Sequence, residues 1–193
     1  MRLVLATRND HKVREMERLL DGVAIERLPD DLTLPPEDGD TFAANALGKA
    51  RATAAALGRV AVADDSGIEA AALGGAPGVH SARFAGPEAS DAENLAKLRA
   101  EAPPGSGLRY VCVIAYVEPG GGERTFSGTC EGTLAAEARG AGGFGYDPAF
   151  LPADVADGRT MAELSDAEKD AVSHRGRAAR ALLAWLREER RAP

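Results

Sequence analysis

The feature that most constrains this sequence is the stretch 60–86, where a short apolar run passes directly into two aspartates and then into a glycine-rich segment. The run at 60–63, Val-Ala-Val-Ala, predicts the end of a buried strand. Asp64 and Asp65 follow at once, with Ser66 and Gly67 after them. Adjacent carboxylates at a strand end pack poorly, but they are good ligands for a hard divalent cation and good bases for water. The same four residues also suit an ordinary turn, and both interpretations are open at this point.

The glycine-rich segment favours a binding site over a plain turn. Three glycines and Pro77 fall between positions 74 and 78, and Arg83 follows shortly afterwards. Glycine lets the backbone approach another group closely, and an arginine suits an anion or an acidic partner. We therefore expect this segment to face a ligand.

Composition limits the class of protein. The chain has 193 residues, which fits one domain spanning 1–193, with or without two lobes, and 45% of them are hydrophobic, which is enough for a packed core. The formal net charge is −7, so tight non-specific binding to nucleic acid is not expected. A small anionic substrate is compatible with this charge if lysines and arginines converge locally.

Cysteine content and hydropathy bear on the compartment. Cys112 and Cys130 are too few for a disulfide scaffold, so we expect reduced thiols in the core. The apolar run at the N-terminus is too short for a signal peptide, and no run approaches the roughly 20 apolar residues that cross a bilayer. These features predict a cytoplasmic protein that does not bind membranes.

An anion site is predicted where the first strand passes into the first helix. Residues 3–6 indicate a buried strand, and the apolar residues between Val13 and Leu20 recur at helical spacing. Backbone N–H groups and the positive end of a helix point outward at such a joint. A polar cap with a solvated lysine is the simpler alternative, and the Walker A pattern is absent. The joint carries Thr7, Arg8, Asn9, Asp10, His11 and Lys12.

A long alanine-rich helix is predicted from Thr41 to about Leu57, after an exposed acidic loop at 29–40. On this helix Asn45 and Lys49 share a face with Phe42. A lysine that extends along apolar surface to reach water explains this placement, and so does a lysine that faces a phosphate.

The sequence at 140–145 is a GxGxxG, but it does not predict a dinucleotide site. Such a site needs a helix directly after the glycines, whereas here Pro148 follows and biases Asp147 away from helical backbone. We interpret the segment as a glycine-hinged loop that presents Phe144, Tyr146 and Asp147 to a flat polar ligand. The preceding hairpin, with strands at 109–117 and 124–130, is expected to be scaffold.

Near the C-terminus, Ser165 and Glu168 form a capping box. It is expected to open a short helix that carries Lys169 and has His174 and Arg175 at its end. A histidine at that place most simply complements the helix dipole. A separate final helix follows, with a packing stripe at Ala178, Leu182 and Trp185.

Five separated blocks of this sequence, between Thr7 and Arg175, resemble the inosine triphosphate pyrophosphatase family in order. The strongest block is ADDSGIEAAALGGAPGVHSARFAG at 63–86. Another is the helix start at 41–50, where Ala44 replaces the glutamate that the family has at that place. The other blocks lie at 7–12, at 144–148 and at 168–175.

The resemblance implies roles for individual residues. Asp65 would be the catalytic base and, with Glu37, would hold a Mg²⁺ ion. The implied substrate-binding residues are Thr7, Arg8, Asn9, Asp10, His11, Lys12, Lys49, Ser66, Phe144, Gly145, Tyr146, Asp147, Lys169, His174 and Arg175. Within this set, the motif at 144–148 is assigned to the base, and Lys169, His174 and Arg175 are assigned to recognition of the base and the phosphates. His174, Arg175 and the loop amides around 144–147 are candidate donors to the O6 atom of the base.

The resemblance also implies an α/β fold with a long twisted mixed β-sheet flanked by helices, and two lobes with the active-site cleft between them. The implied reaction cleaves ITP, dITP and XTP to the monophosphate and pyrophosphate, in a homodimer. Two alternatives are open. One is a metal-dependent phosphatase with a strand-end aspartate as covalent nucleophile. The other is a nucleotide sensor without turnover.

Overall fold

The computed structural model describes residues 2–189, which contain six strands and five α-helices. Short 3₁₀ turns lie at Ala71–Leu73, Gly78–Arg83, Asp147–Ala149 and Met161–Glu163. The strands are β1 (Arg2–Leu5), β2 (Ala24–Arg27), β3 (Ala61–Ala70), β4 (Gly107–Val117), β5 (Glu123–Leu134) and β6 (Phe150–Pro152). The helices are α1 (Asp10–Leu19), α2 (Phe42–Leu57), α3 (Asp91–Glu101), α4 (Asp166–Val172) and α5 (His174–Glu189).

The strands form one mixed sheet in the order β2-β1-β3-β4-β5-β6. Strand β1 pairs in parallel with both β2 and β3, whereas β5 and β6 pair antiparallel. The parallel pairs are joined by α1 and α2, as parallel pairing requires. The predicted α/β class with a mixed sheet and flanking helices is therefore confirmed.

The chain divides into two compact units, and the divisions fall within β3, β4, β5 and the first turn of α5. Unit 1 contains the chain up to Asp65, the segment Cys112–Gly128 and the chain from Arg175 onward. Unit 2 contains Ser66–Val111 and Thr129–His174. That the whole chain is a single domain, with a cleft between its lobes, stays a prediction.

Each unit has its own apolar core. In unit 1, residues of β1 and α1 pack with β4 and α5 around Leu5, Met16 and Leu182, and the alanines of α2 form a second buried cluster. In unit 2, α3 and β4 pack with β6 around Leu98, Leu108 and Phe150. The hydrophobic side chains that the sequence places at strand and helix spacing are the ones that fill these cores.

The helices begin where the sequence offers capping side chains. Asn9 caps α1, Thr41 caps α2, and Ser90 and Ser165 open α3 and α4 with capping boxes. The C-terminal prediction needs a correction, since His174 and Arg175 do not end α4. They open α5, because Ser173 adopts an extended backbone that terminates α4.

The prediction that β3 runs out at Asp64 is wrong. Strand β3 continues to Ala70, so Asp64 and Asp65 lie inside it, and both are buried. Charged side chains can occupy a strand interior only if other groups compensate their charge. Those groups are described below.

Two further expectations concern the cysteines and membranes. Cys112 and Cys130 are buried free thiols, as predicted. Between residues 2 and 189 no helix is long and apolar enough to cross a bilayer.

Candidate active site

The joint between β1 and α1 is held by local hydrogen bonds. Asn9 Oδ1 accepts from the backbone N–H groups of His11 (2.9 Å) and Lys12 (3.2 Å), and Thr7 Oγ1 accepts from the Asn9 N–H at 3.2 Å. The His11 and Lys12 amides, which we expected to be available to an anion, are thus already bonded to a side chain. At this joint the Lys12 side-chain ammonium is a positive group that can still attract an anion.

Asp64 is the centre of a charged cluster in unit 1. Its Oδ2 lies 3.1 Å from Lys12 Nζ and accepts from Arg175 Nη2 at 3.0 Å and Nε at 3.2 Å. Burial by itself would raise the pKa of Asp64, but Lys12, Arg175 and Lys49 outweigh it and hold that pKa below the usual range. Asp64 is therefore an ionised anchor for cations. Its Oδ1 is buried and has no hydrogen-bond partner within the described residues.

Arg175 also bonds to a carboxylate that the sequence reading did not single out. Its Nη1 donates to Glu15 of α1, and the guanidinium is almost wholly buried. This arrangement differs from the expected donation by Arg175 to a base, because its guanidinium donates to two carboxylates, those of Asp64 and Glu15. Glu15 lies three residues after Lys12, on the same helix face, and this spacing is the signal that could have identified it.

Lys49 of α2 reaches into the same cluster. Its Nζ donates to the backbone oxygen of Asp64 at 2.7 Å and forms an ion pair with Glu37. Asn45, one turn earlier on the helix, donates to Asp65 Oδ2 at 2.9 Å. The face shared by Asn45 and Lys49 is therefore buried against β3, and Lys49 does not extend along apolar surface to water. That Lys49 faces a phosphate stays a prediction.

Asp65 has the electrostatic character of a base. Burial raises its pKa above the ordinary aspartate value, and the neighbouring Glu37 carboxylate acts in the same direction. The Asn45 hydrogen bond and the nearby lysines oppose this shift without cancelling it. A carboxylate of this kind binds a proton more readily than an exposed one does.

The donor set suits a hard cation that a substrate would help to hold. Within the described residues, no three acidic, histidine or cysteine side chains form a complete metal site. Mg²⁺, however, is commonly held by one or two carboxylates together with water and substrate phosphates. Asp65 supplies one carboxylate, and Glu37 supplies a second that is near enough to raise the pKa of Asp65. These residues therefore fit the ion.

Unit 2 contains a second polar cluster, centred on Asp147. Its Oδ1 accepts from the Tyr110 hydroxyl at 3.0 Å, and its Oδ2 accepts from Lys169 Nζ at 2.7 Å and from the Phe144 N–H at 3.0 Å. Lys169 Nζ also lies 5.1 Å from the centroid of the Phe144 ring. Asp147 thus fixes both the glycine-hinged loop and the lysine of α4.

The other predicted base-binding residues adjoin this cluster. The His174 ring stacks on Tyr110, with centroids 4.4 Å apart and an interplanar angle of 4°. Tyr146 donates its hydroxyl to the backbone oxygen of Ser81, and the Gly145 N–H donates to Asp91 at 2.8 Å. Because the amides of Phe144 and Gly145 are bonded to carboxylates, they are not the donors to a base that we expected.

Three of the expected substrate-binding residues make other contacts. Arg8 donates to Asp30 and to the backbone oxygens of residues 28, 29, 30 and 32, and so holds that loop. Asp10 pairs with Arg27 at 2.7 Å, and His11 bonds to Arg14 on the exposed side of α1. Ser66 is a half-buried residue of β3, the first of unit 2.

Comparison with known proteins places these features in a family. Residues 3–185 match the model of the Ham1 family. A dITP/XTP pyrophosphatase of Symbiobacterium thermophilum is 52% identical over 92% of this chain and 90% of its own length. One from Syntrophobacter fumaroxidans is 50% identical, over 91% of this chain and 78% of its own length. A solved HAM1 protein from Coxiella burnetii has a TM-score of 0.86 and 41% identity, and the match covers 97% of this chain and 99% of that one. The chain therefore belongs to the Ham1 family.

Proposed function

We propose that this protein hydrolyses non-standard purine nucleoside triphosphates (dITP, XTP and ITP) to the nucleoside monophosphate and pyrophosphate. The observation that carries the proposal is the convergence of two largely buried lysines, Lys12 and Lys49, on the adjacent aspartates of β3. Relatives about 50% identical that bear the name dITP/XTP pyrophosphatase support the same activity.

The phosphates are the part of the substrate that unit 1 would bind. Lys12 and Lys49 are point charges that pair with phosphate oxygens without a fixed geometry. Thr7 and Asn9 would add neutral hydrogen-bonding groups, and so would Ser66, which follows Asp65 in β3 and is the first residue of unit 2. Before substrate enters, Asp64 and Glu37 keep the two ammonium groups in place.

Asp65 would act as the general base. It would take a proton from a water molecule that attacks the α-phosphorus, and the bond from that phosphorus to the bridging oxygen would break to release pyrophosphate. Asn45 fixes one oxygen of Asp65, so that the carboxylate keeps one orientation. A Mg²⁺ ion held by Asp65 and Glu37 would supply charge neutralisation at the phosphates.

Unit 2 would bind the purine base of the substrate and distinguish it from other bases. Phe144 offers an aromatic face for a purine, and Lys169 offers an ammonium group near that ring. His174, which stacks on Tyr110 in the same unit, offers a second polar group. A donor aimed at a 6-oxo group discriminates strongly, because the 6-amino group of adenine would leave that donor unpaired. We therefore expect ITP and XTP to be cleaved far better than ATP.

Product analysis tests the proposal against its two alternatives. The protein is incubated with ITP, Mg²⁺ and ¹⁸O-labelled water, and pyrophosphate, orthophosphate and IMP are quantified. Pyrophosphate with label in IMP is expected. Orthophosphate with a phosphorylated aspartate would indicate the phosphatase mechanism, and binding without any product would indicate a sensor.

A homodimer and a cytoplasmic location are also part of the proposal. Sedimentation tests the oligomeric state, and cell fractionation tests the location.

A further inference from the structure

We propose that Tyr110 is a positioning residue for base discrimination, acting through Asp147 and His174; this inference rests on the proposed function. Tyr110 lies on β4 and is buried. Asp147 accepts a hydrogen bond from the Tyr110 hydroxyl, and the His174 ring stacks on the Tyr110 ring. One side chain thus contacts two residues that the resemblance assigned to base recognition from two separate blocks of the sequence.

The hydrogen bond gives Tyr110 control over Asp147. Asp147 is buried, so both of its oxygens need donors. Lys169 and the Phe144 amide donate to Oδ2, and the Tyr110 hydroxyl donates to Oδ1. Burial, and then the adjacent Asp147 charge, raise the pKa of Tyr110 well above its ordinary value, so the phenol stays protonated and remains a donor at neutral pH.

The ring gives Tyr110 control over His174. The two rings are almost parallel, and Phe150 contacts the Tyr110 ring with centroids 4.7 Å apart and a tilt of 53°. Contact with two rings restricts rotation of the tyrosine side chain. The orientation of the His174 imidazole is therefore linked to the position of Tyr110.

A consequence follows for selectivity. If the Tyr110 hydroxyl is removed, Asp147 loses the donor to Oδ1 and shifts, and Lys169 and the Phe144 loop shift with it, because both are bonded to Oδ2. Hydrogen bonds to a 6-oxo group depend on that geometry, whereas a 6-amino substrate does not use them. Efficiency should therefore fall for ITP and much less for ATP.

The test compares Tyr110→Phe with Tyr116→Phe. Tyr116 is on the same strand, is also buried, and also donates to a carboxylate, Glu118, at 3.0 Å. Each variant thus loses one phenol–carboxylate hydrogen bond and keeps its ring. Steady-state kcat and KM are measured for ITP and ATP, and thermal unfolding verifies that both variants are folded at the assay temperature.

For Tyr110→Phe we expect kcat/KM for ITP to fall about tenfold or more, mainly through KM, and the ratio of ITP to ATP efficiency to narrow. Tyr116→Phe should keep the parental kcat/KM for ITP and the parental ratio of ITP to ATP efficiency. Parental kinetics in Tyr110→Phe, or equal losses on ITP and ATP, would overturn the inference and leave the proposed function intact. If the parent protein itself releases no pyrophosphate from ITP, the proposed function fails and this inference fails with it.

Discussion

The substitution Gly143→Ala should damage the Asp147 cluster from the backbone side. Gly143 has φ = +69°, and a Cβ on it would overlap Asp147 Oδ2 and lie 3.0 Å from Lys169 Nζ. The left-handed backbone costs an alanine about 1–2 kcal/mol. Displacing Asp147 from Lys169 breaks a buried ion pair, which typically costs a further ~3–5 kcal/mol. We therefore expect a loss of about 4–7 kcal/mol in the free energy of unfolding.

Gly158→Ala is the matched control, because Gly158 has φ = +72° and an added Cβ there would meet no atom within 4 Å. This variant should lose only the cost of placing alanine in a left-handed backbone, about 1–2 kcal/mol in the free energy of unfolding. Denaturant unfolding of both variants measures the difference, and turnover of ITP should drop in Gly143→Ala only. If the two variants lose equal stability, the loop accommodates a side chain and the assignment of Asp147 as its anchor is wrong.

Three further predictions concern the charged cluster of unit 1. Chelation of divalent cations should abolish pyrophosphate release and added Mg²⁺ should restore it, so full activity in excess chelator would contradict the proposed metal role. Asp65→Asn should reduce kcat by a factor of about 10²–10⁴, because amide and carboxylate have the same shape but only the carboxylate is a base. The variant should keep the parental thermal unfolding transition. Parental turnover in the folded variant would show that Asp65 is not the base. Arg175→Ala leaves Asp64 and Glu15 with buried negative charge, so we expect a loss of about 3–5 kcal/mol in unfolding free energy and parallel losses on ITP and ATP. A selective loss on ITP, with stability unchanged, would instead assign Arg175 to the base.

The sequence predicts the elements of the fold well because their signals are local. Thr41 and Ser165 cap helices where helix starts were expected, since a cap depends on residues two or three positions away. The true extent of β3 was not predictable in the same way. Asp64 looks like the end of a strand until Lys12 and Arg175, which are distant in sequence, are known to compensate its charge.

The candidate site shows the same division. Lys12, Lys49 and Asp65 come together as the resemblance implied, with the lysines against β3. Arg8 illustrates what pattern alone could not reveal. It stands among the residues implied to bind substrate, yet it donates to the backbone of a loop 20 to 24 positions away. No periodicity or spacing in the sequence encodes such a contact.

The charge balance of the unit 1 cluster has a consequence for the order in which ligands enter. Its connected groups comprise four carboxylates (Glu15, Glu37, Asp64 and Asp65) and three cations (Lys12, Lys49 and Arg175), which leaves a formal excess of one negative charge. A bare polyanion therefore meets lysines that are already neutralised and carboxylates that repel it. A triphosphate that arrives as a magnesium complex would carry less charge, and Asp65 and Glu37 are the residues proposed to hold its cation. We therefore expect free nucleotide in excess over the metal to be a poor ligand rather than a competitive inhibitor, and the magnesium complex to be the substrate.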